Sequence, residues 1–417
     1  MRKILSLIFA LMLVFSVSSC RYQRLSEGEE EEEQILTVSD PSYYEKFKGK
    51  GISINVYNWG EYISDGSDGL LDVNTEFENL TGIEVNYSTY ATNEELYAKL
   101  KGGGAEYDII IPSDYMIARM IKEGMLQKLN LENIPNFANI MPKFRGNLYD
   151  PHDEYSVPYT WGTVGIIYDN TAIEIPEDGI DWDILWDEQY KDSILMFDNP
   201  RDSFAIASLL LGHSINTESF KELKEAAEKL KEQKSLVQSY VMDEIFDKMG
   251  AGEAVLAPYY AGDAVTLMDE YEHLGFAVPK SGTNLFIDGM CIPASSSQKE
   301  AAEAYINFMC EPDIAYATTS YIGYSTPNSA AFEMLDDEVK NDGISYLSDE
   351  YIEEKTTIFN NLSDEANLEM QRLWTDMKST EESGTNKWIV HIFLLACVAL
   401  SIGILIRRYI KNKKDIF

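Results

Sequence analysis

The sequence predicts an α/β fold with mostly parallel sheets. Segments with the two-residue period of a half-buried strand alternate along the chain with segments of helical character, which is the pattern of strands connected by helices. The chain has 417 residues, of which 45% are hydrophobic, so it is long enough and apolar enough to form two lobes.

The first predicted strand is 52–57, where apolar and polar residues alternate. Further strands are predicted at 84–87, 107–112, 157–168, 194–197 and 254–257. Helices are predicted between and after these strands, at 70–80, 93–101, 117–123, 203–211, 217–233, 263–273 and 297–308. The order of these elements favours a sheet that is covered by helices.

A hexapeptide at 57–62, Tyr-Asn-Trp-Gly-Glu-Tyr, places side chains that could bind a ligand at the end of the first strand. Gly60 breaks the strand and leaves Trp59, Glu61 and Tyr62 at its carboxyl end, where open α/β sheets bind their ligands. Aromatic faces beside a carboxylate suit an organic cation. The alternative is that the two aromatic residues belong to the core and that Glu61 lies on its rim.

The sequence patterns at both ends of the chain predict that the protein is attached to a membrane. Residues 1–19 have a basic start and an apolar run, as in a signal peptide, and they end in a sequence that resembles a lipobox, so that Cys20 becomes the lipidated first residue. Residues 388–406 carry no formal charge over about the length that crosses a bilayer, and the basic tail 407–417 is expected to stay cytoplasmic. The alternatives are ordinary cleavage at the first end and a buried core helix at the second.

The folded part is predicted to lie outside the cell between two connecting segments. Residues 20–50 contain the run Glu29 to Glu33 and form an acidic tether, and 379–387 form a spacer before the membrane helix. The formal net charge of −36 argues against a nucleic-acid partner, whose phosphates need a basic surface, and it permits cationic ligands.

Cysteines and histidines give no sign of a metal site. The four histidines are scattered, and no two cysteines have metal-site spacing. Cys291 and Cys310 are interpreted as small apolar residues, and a disulfide between them is the alternative in an extracellular compartment. The sequence also contains no nucleophile–base constellation and no phosphate-binding loop, so an enzyme is not indicated and no cofactor is expected.

Several motifs follow one another in a fixed order, at 54–62, 87–90 with 93–100, 107–113, 123–127, 156–163 and 322–328. Together they resemble the extracellular solute-binding proteins of polyamine ABC importers, and the resemblance extends over about 52–378. It implies a type II periplasmic-binding-protein-like fold, in which two lobes close around a ligand in the cleft between them. The first lobe would comprise 51–159 and 288–378, and the second lobe 160–287.

The resemblance also implies which residues line the cleft. Trp59 and Tyr62 match stacking aromatic residues with Glu61 beside them, Asp288 matches an acid expected to bind an amine directly, and Tyr324 closes the aromatic wall. The full set of candidate ligand-binding residues is Trp59, Glu61, Tyr62, Ser113, Tyr115, Asp202, Tyr260, Asp263, Phe286, Asp288 and Tyr324.

Some positions depart from what the resemblance implies. Asn199 stands where spermidine binders have an acid, and Asp263 matches an acid of putrescine-type relatives, while Tyr260 and Phe286 replace Trp. Asn360 is a further candidate, at a position where a relative has Gln. A protonated polyamine needs carboxylates at intervals with apolar walls between them, since a buried amine without a partner is unfavourable. These departures make putrescine as well matched as spermidine.

Alternatives remain for individual acids and for the function. Asp202 and Asp263 could be helix N-caps, and Asp288 could be a turn residue. The expected function is that of a monomeric receptor that delivers putrescine or spermidine to an ABC permease with a cytoplasmic ATPase. The alternatives are a receptor for ferric ion, suggested by the adjacent phenols Tyr259 and Tyr260, and a membrane-anchored amine sensor.

Overall fold

The computed structural model describes residues 35–104, 106–176 and 179–379. The predicted signal peptide with Cys20, residues 21–34 of the tether, residues 380–387 of the spacer, and the predicted membrane helix with its basic tail lie outside the described residues. Among the helices of the described ranges, none is both long enough and apolar enough to cross a membrane.

The described strands join into one sheet of ten strands. They are β1 (Ser53–Trp59), β2 (Glu84–Tyr90), β3 (Ile109–Ile110), β4 (Ser156–Asp169), β5 (Ile194–Phe197), β6 (Val237–Val241), β7 (Leu256–Tyr260), β8 (Leu274–Ala277), β9 (Thr283–Cys291) and β10 (Thr356–Thr357). Along the sheet the order is β2-β1-β3-β9-β4-β7-β5-β6, while β8 pairs with β4 and β10 pairs with β9.

The sheet is mixed, and the predicted parallel pairing occurs toward its two ends and in the short pairing of β10 with β9. β1 is parallel to β2 and β3, and β5 is parallel to β6 and β7. In the centre, β4 is antiparallel to β7, β8 and β9, and β3 is antiparallel to β9. We call β4 and β9 the crossing strands, because each runs from one half of the sheet into the other.

Fourteen α-helices of the described residues cover the sheet, of which seven start within three residues of a predicted helix and seven were not predicted. They are α1 (Pro41–Glu45), α2 (Val73–Thr81), α3 (Asn93–Lys101), α4 (Asp114–Lys122), α5 (Pro200–Leu210), α6 (Phe220–Gln233), α7 (Ile245–Gly250), α8 (Ala261–Glu270), α9 (Lys299–Met309), α10 (Pro312–Ile322), α11 (Ser329–Met334), α12 (Asp337–Lys340), α13 (Asp349–Lys355) and α14 (Asp364–Ser379). The N-cap of α2 is Asp72, and that of α3 is Thr92, whose side chains accept backbone N–H groups.

Two large apolar clusters form separate cores on either side of the crossing strands. The first core takes its buried residues from Tyr44 to Trp161 and from Leu285 to Tyr324. The second core takes them from Val164 to Phe276 and from Leu362 to Met377. The predicted first lobe included residues up to 378, but α14 packs with the second core.

Cys291 and Cys310 are both free thiols, buried in the first core.

The first core begins earlier in the chain than the predicted lobe. Residues 41–45, which the sequence assigned to the tether, form α1. Tyr44 and Phe47 are 0% and 1% exposed, and the Tyr44 hydroxyl donates to Glu311 Oε1 at 2.7 Å. A protein that started at Gly51 would therefore lack part of its core.

Replacement of Phe47 by alanine tests this extension of the core. The side chain is 1% exposed, so Phe47→Ala should lower the free energy of unfolding by about 3–5 kcal/mol through lost burial and a cavity. The matched control is Phe220→Ala, at a side chain that is 53% exposed, where a change within about 0.5 kcal/mol is expected. Urea denaturation of both variants measures the difference, and equal stabilities would mean that the segment before Gly51 does not belong to the core.

Candidate functional site

One cavity lies where the strand ends of the two halves of the sheet face each other. Trp59 ends β1, Ser113 follows β3, Asp202 follows β5, and Tyr260 ends β7. Every candidate ligand-binding residue predicted from the sequence lines this cavity, which we call the ligand cleft. Its volume is about 70 Å³.

Asp288 is the most deeply buried carboxylate of the cleft. It is 4% exposed, and its Oδ2 accepts the Tyr62 hydroxyl at 2.7 Å. The Thr160 hydroxyl lies 2.6 Å from the same Tyr62 oxygen. Within the described part of the chain, Asp288 Oδ1 has no hydrogen-bond partner. Burial raises the pKa of Asp288 to about 6, although Ser113 and Tyr62 lie close enough to lower it in part.

Asp202 and Glu94 lie with Asp288 in what we call the first acid group. Asp202 Oδ2 accepts the Tyr260 hydroxyl at 2.9 Å, and Glu94 Oε1 accepts the Tyr115 hydroxyl at 3.1 Å. Burial raises the pKa of both carboxylates, and the charge of Asp202 further raises the pKa of Glu94 and of Asp288. These acids therefore act on one another over short distances.

Asp263, Asp243 and Glu61 form a second acid group. Asp263 Oδ2 accepts the Tyr324 hydroxyl at 2.8 Å. Burial raises the pKa of Asp263 to about 7, and the charges of Asp243 and Glu61 act in the same direction. Burial also raises the pKa of Asp243, with Glu244 and Glu61 as smaller causes. Glu61 has a φ of 48°, in the left-handed region that a side chain seldom adopts.

Arg201 is the cation that acts on the first acid group. Its charge lowers the pKa of Glu94 and of Asp202, and it lies 4.2 Å from the ring centroid of Phe359. Its Nη2 donates to Asn216 Oδ1 at 2.8 Å and to the Asn360 carbonyl at 3.0 Å. Its other two nitrogens have no hydrogen-bond partner among the described residues.

Aromatic rings connect the two acid groups. The Tyr62 and Tyr324 rings meet edge to face with centroids 4.8 Å apart, and Tyr260 and Phe286 meet in the same way at 5.4 Å. The indole of Trp59 is held by its Nε1, which donates to the Ile111 carbonyl at 2.8 Å. Such rings offer apolar walls to methylene groups and negative faces to cations.

Gly262 is required for the position of Tyr324. A Cβ atom at Gly262 would overlap the Tyr324 ring, so no other residue fits without moving the ring away from Asp263.

Neither Asp202 nor Asp263 is the N-cap of its helix, so the alternative that these two acids only cap α5 and α8 is wrong. Asn199 caps α5 by accepting the N–H of Asp202, and Asp263 lies inside the first turn of α8.

Several residues that line the cleft were not among the predicted set. They are acids, amides and apolar residues: Glu94, Asp243, Asn199, Asn284, Met242, Phe246, Tyr259 and Phe359. Glu94 lies in a motif that was already noted, so its position could have been found, but Asp243 follows β6, which was not predicted. Asn360 does not line the cleft, and its neighbour Phe359 does.

The adjacent phenols Tyr259 and Tyr260, which suggested a ferric-ion receptor, both line the ligand cleft. Burial raises both pKa values well above the ordinary value, with the charge of Asp263 next for Tyr259 and that of Asp202 next for Tyr260. No cluster of three His, Cys, Asp or Glu residues within the described ranges is arranged to hold a metal ion.

Comparisons with known proteins identify the family. Residues 106–355 match the family model of the bacterial extracellular solute-binding proteins. The spermidine/putrescine-binding periplasmic protein of Salmonella typhimurium is 39% identical over 292 residues, which cover 70% of this chain and 82% of that protein. The putrescine-binding periplasmic protein SpuD of Pseudomonas aeruginosa is 30% identical over 345 residues, covering 78% and 92%.

Solved structures agree with this result. The spermidine/putrescine substrate-binding protein PotD of Streptococcus pneumoniae is 35% identical with a TM-score of 0.67, covering 79% of this chain and 99% of that one. The lipoprotein TpPotD of Treponema pallidum is 25% identical, also with a TM-score of 0.67, over 78% and 99%. The chain therefore belongs to the family of bacterial extracellular solute-binding proteins, and it has their α/β fold.

Proposed function

We propose that this protein is the substrate-binding receptor of an ABC importer and that it captures a protonated polyamine, putrescine or spermidine, outside the cell. The observation that carries the proposal is Asp288, a carboxylate that is 4% exposed and has an unpartnered Oδ1 in the ligand cleft. A buried acceptor of this kind is unfavourable unless a donor, best a cation, reaches it. The names of the relatives, which bind spermidine or putrescine, agree with such a ligand.

The two acid groups suggest how the ligand lies. One ammonium group would bind the first acid group at Asp288 and Asp202, and another would bind the second acid group at Asp263. The rings of Tyr62 and Tyr324 lie between these carboxylates and would contact the methylene chain. A well-placed ring adds on the order of 0.5–2 kcal/mol to the binding of a cation.

The remaining predicted residues complete the cleft. Trp59, Tyr260 and Phe286 would form its walls, while Glu61, Ser113 and Tyr115 would lie at its edges. The two lobes, built around the two cores, would close about the crossing strands when the ligand binds.

Delivery of the ligand needs a receptor that stays near its permease. In this proposal a lipid on Cys20 and the helix 388–406 hold the receptor at the outer face of the membrane, and the basic tail 407–417 is cytoplasmic. The helix would make the attachment permanent, because no lipid anchor matches the insertion of a transmembrane helix. The monomeric receptor would dock on membrane permease subunits whose ATPase lies inside the cell.

Removal of the charge of Asp288 tests the assignment directly. Asp288→Asn keeps the size of the side chain, and it should weaken putrescine and spermidine binding by roughly 30-fold or more, because a buried charge pair is lost. Isothermal titration of the full-length protein with each amine, and with ferric citrate for comparison, measures the effect.

The matched control for this variant is Asp269→Asn, an exposed aspartate on α8, which should bind both amines like the wild type. If Asp288→Asn binds both amines with wild-type affinity, Asp288 is not the amine ligand. If the wild type binds neither amine, the polyamine function itself is wrong.

Amine binding should depend on pH near neutrality. In the free protein the pKa of Asp263 is about 7 and that of Asp288 about 6, so both are partly protonated in this range. A bound ammonium group favours the ionised carboxylates, so affinity should rise from about pH 5 to 8, with proton release, by up to tenfold per unit for each proton released.

Titration in two buffers with different ionisation enthalpies measures the number of protons released. The Asp263→Asn variant should lose the part of this dependence that lies near pH 7, while the part near pH 6 remains. A constant affinity across the range, with no proton release in the wild type, would contradict the raised pKa values.

A further inference from the structure

A second cavity lies on the opposite face of β9 from the ligand cleft. Asn284, Phe286 and Asp288 line the cleft, whereas Leu285 and Ile287 line this second cavity, because successive side chains of a strand point to opposite faces. We call it the rear cavity. Its volume is about 430 Å³, which is within the range of small-molecule sites.

The rear cavity has an apolar lining. Its principal apolar side chains are Phe144, Trp161, Leu285, Ile287, Ile352 and Ile358. Leu148, which also lines it, is 86% exposed, so the cavity is open to solvent.

A lysine provides charge at the edge of the rear cavity. Lys143 lines the cavity, and its Nζ lies 5.3 Å from the ring centroid of Phe144 and 5.5 Å from that of Trp161. Lys143 is the one charged residue among the described residues that line the rear cavity, and no acid lines it.

We propose that the rear cavity binds a small amphiphilic anion, of the class of a medium-chain carboxylate. Its apolar part would contact Trp161, Leu285 and Ile358, and its carboxylate would bind the Lys143 ammonium group. Such an anion would be excluded from the ligand cleft, where both acid groups would repel it. The charge at the edge and the apolar interior thus match two parts of one ligand.

The rear cavity shares structure with the ligand cleft. Phe359 lines the cleft, and its neighbours Ile358 and Asn360 line the rear cavity. Asn216, from the connection between α5 and α6, donates from Nδ2 to the Ile358 carbonyl at 2.9 Å and also lines the rear cavity. The cavity is therefore bounded by residues from both sides of the crossing strands.

This position predicts that the two sites are coupled. If the lobes close about the crossing strands, as the proposed function requires, the face behind those strands opens as the cleft closes. A ligand in the rear cavity would favour the closed cleft and raise the affinity for polyamine. By reciprocity, polyamine would raise the affinity for the anion by the same factor.

Titration of the full-length protein with sodium octanoate, followed by calorimetry and tryptophan fluorescence, tests the site. Binding should saturate at one equivalent, and affinity should rise roughly fourfold per added methylene from butanoate through hexanoate to octanoate.

Ile352→Trp should abolish octanoate binding by filling the cavity. Lys143→Gln should weaken it about threefold to fivefold, whereas the control Lys122→Gln, an exposed lysine on α4, should not.

The outcomes separate this inference from the proposed function. Saturable octanoate binding that is lost in Ile352→Trp supports the site. Octanoate binding that is absent, or equal in Ile352→Trp and in the wild type, overturns it. Octanoate binding without any change in putrescine or spermidine affinity overturns the coupling. Amine binding by the wild type without octanoate tests the proposed function alone, so a failure there is recognised independently.

Discussion

Buried carboxylates that outnumber the cations near them are the constraint on which the rest of this structure depends. Burial places the pKa of Asp263 at about 7 and that of Asp288 at about 6, above the value of an exposed aspartate. A group with a raised pKa in the folded state favours folding fully only below its unfolded pKa, and this contribution is lost as pH rises through 6 and 7. At neutral pH the ionised carboxylates of the cleft therefore destabilise the fold, and the burial of the two cores compensates for them. A bound cation would offset part of this destabilisation.

The crossing strands hold charged side chains in the cleft on one face and apolar side chains on the other. β9 holds Asp288 and Phe286 in the cleft while its other face contributes Leu285 and Ile287 to apolar surroundings. The Phe286 ring lies directly against the backbone of β4, since a Cβ at Gly162 of that strand would lie 2.8 Å from Phe286 Cζ. One pair of strands thus positions the central acid, carries an aromatic wall and joins both halves of the sheet.

Local patterns in the sequence were sufficient for β1 to β5, β7, α2 to α6, α8 and α9, whereas most residues of the cleft were predicted only through the resemblance to a known family. Trp59 and Tyr62 were found because a strand with a clear period ends at a glycine, and Asp288 was found only because its position matches an acid of the family that the sequence resembles. Asp243 was not found, because the alternation in β6 is weak and its approach to Glu61 depends on how distant segments meet. The antiparallel centre of the sheet was missed for the same reason, since pairing between β4 and β9 is not encoded in either strand alone. Tyr44 and Phe47 were missed because the acidic run before them dominated the composition.

Asn199 has a double role with an evolutionary consequence. Its Oδ1 caps α5 by accepting the Asp202 N–H at 2.8 Å, while the residue also lines the cleft. Aspartate caps a helix about as well as asparagine, so an exchange at this position keeps the scaffold and changes only the charge presented to the ligand. Because the codons of the two residues differ by a single base, the ligand range of such a receptor can drift in one mutational step, without an intermediate that folds poorly.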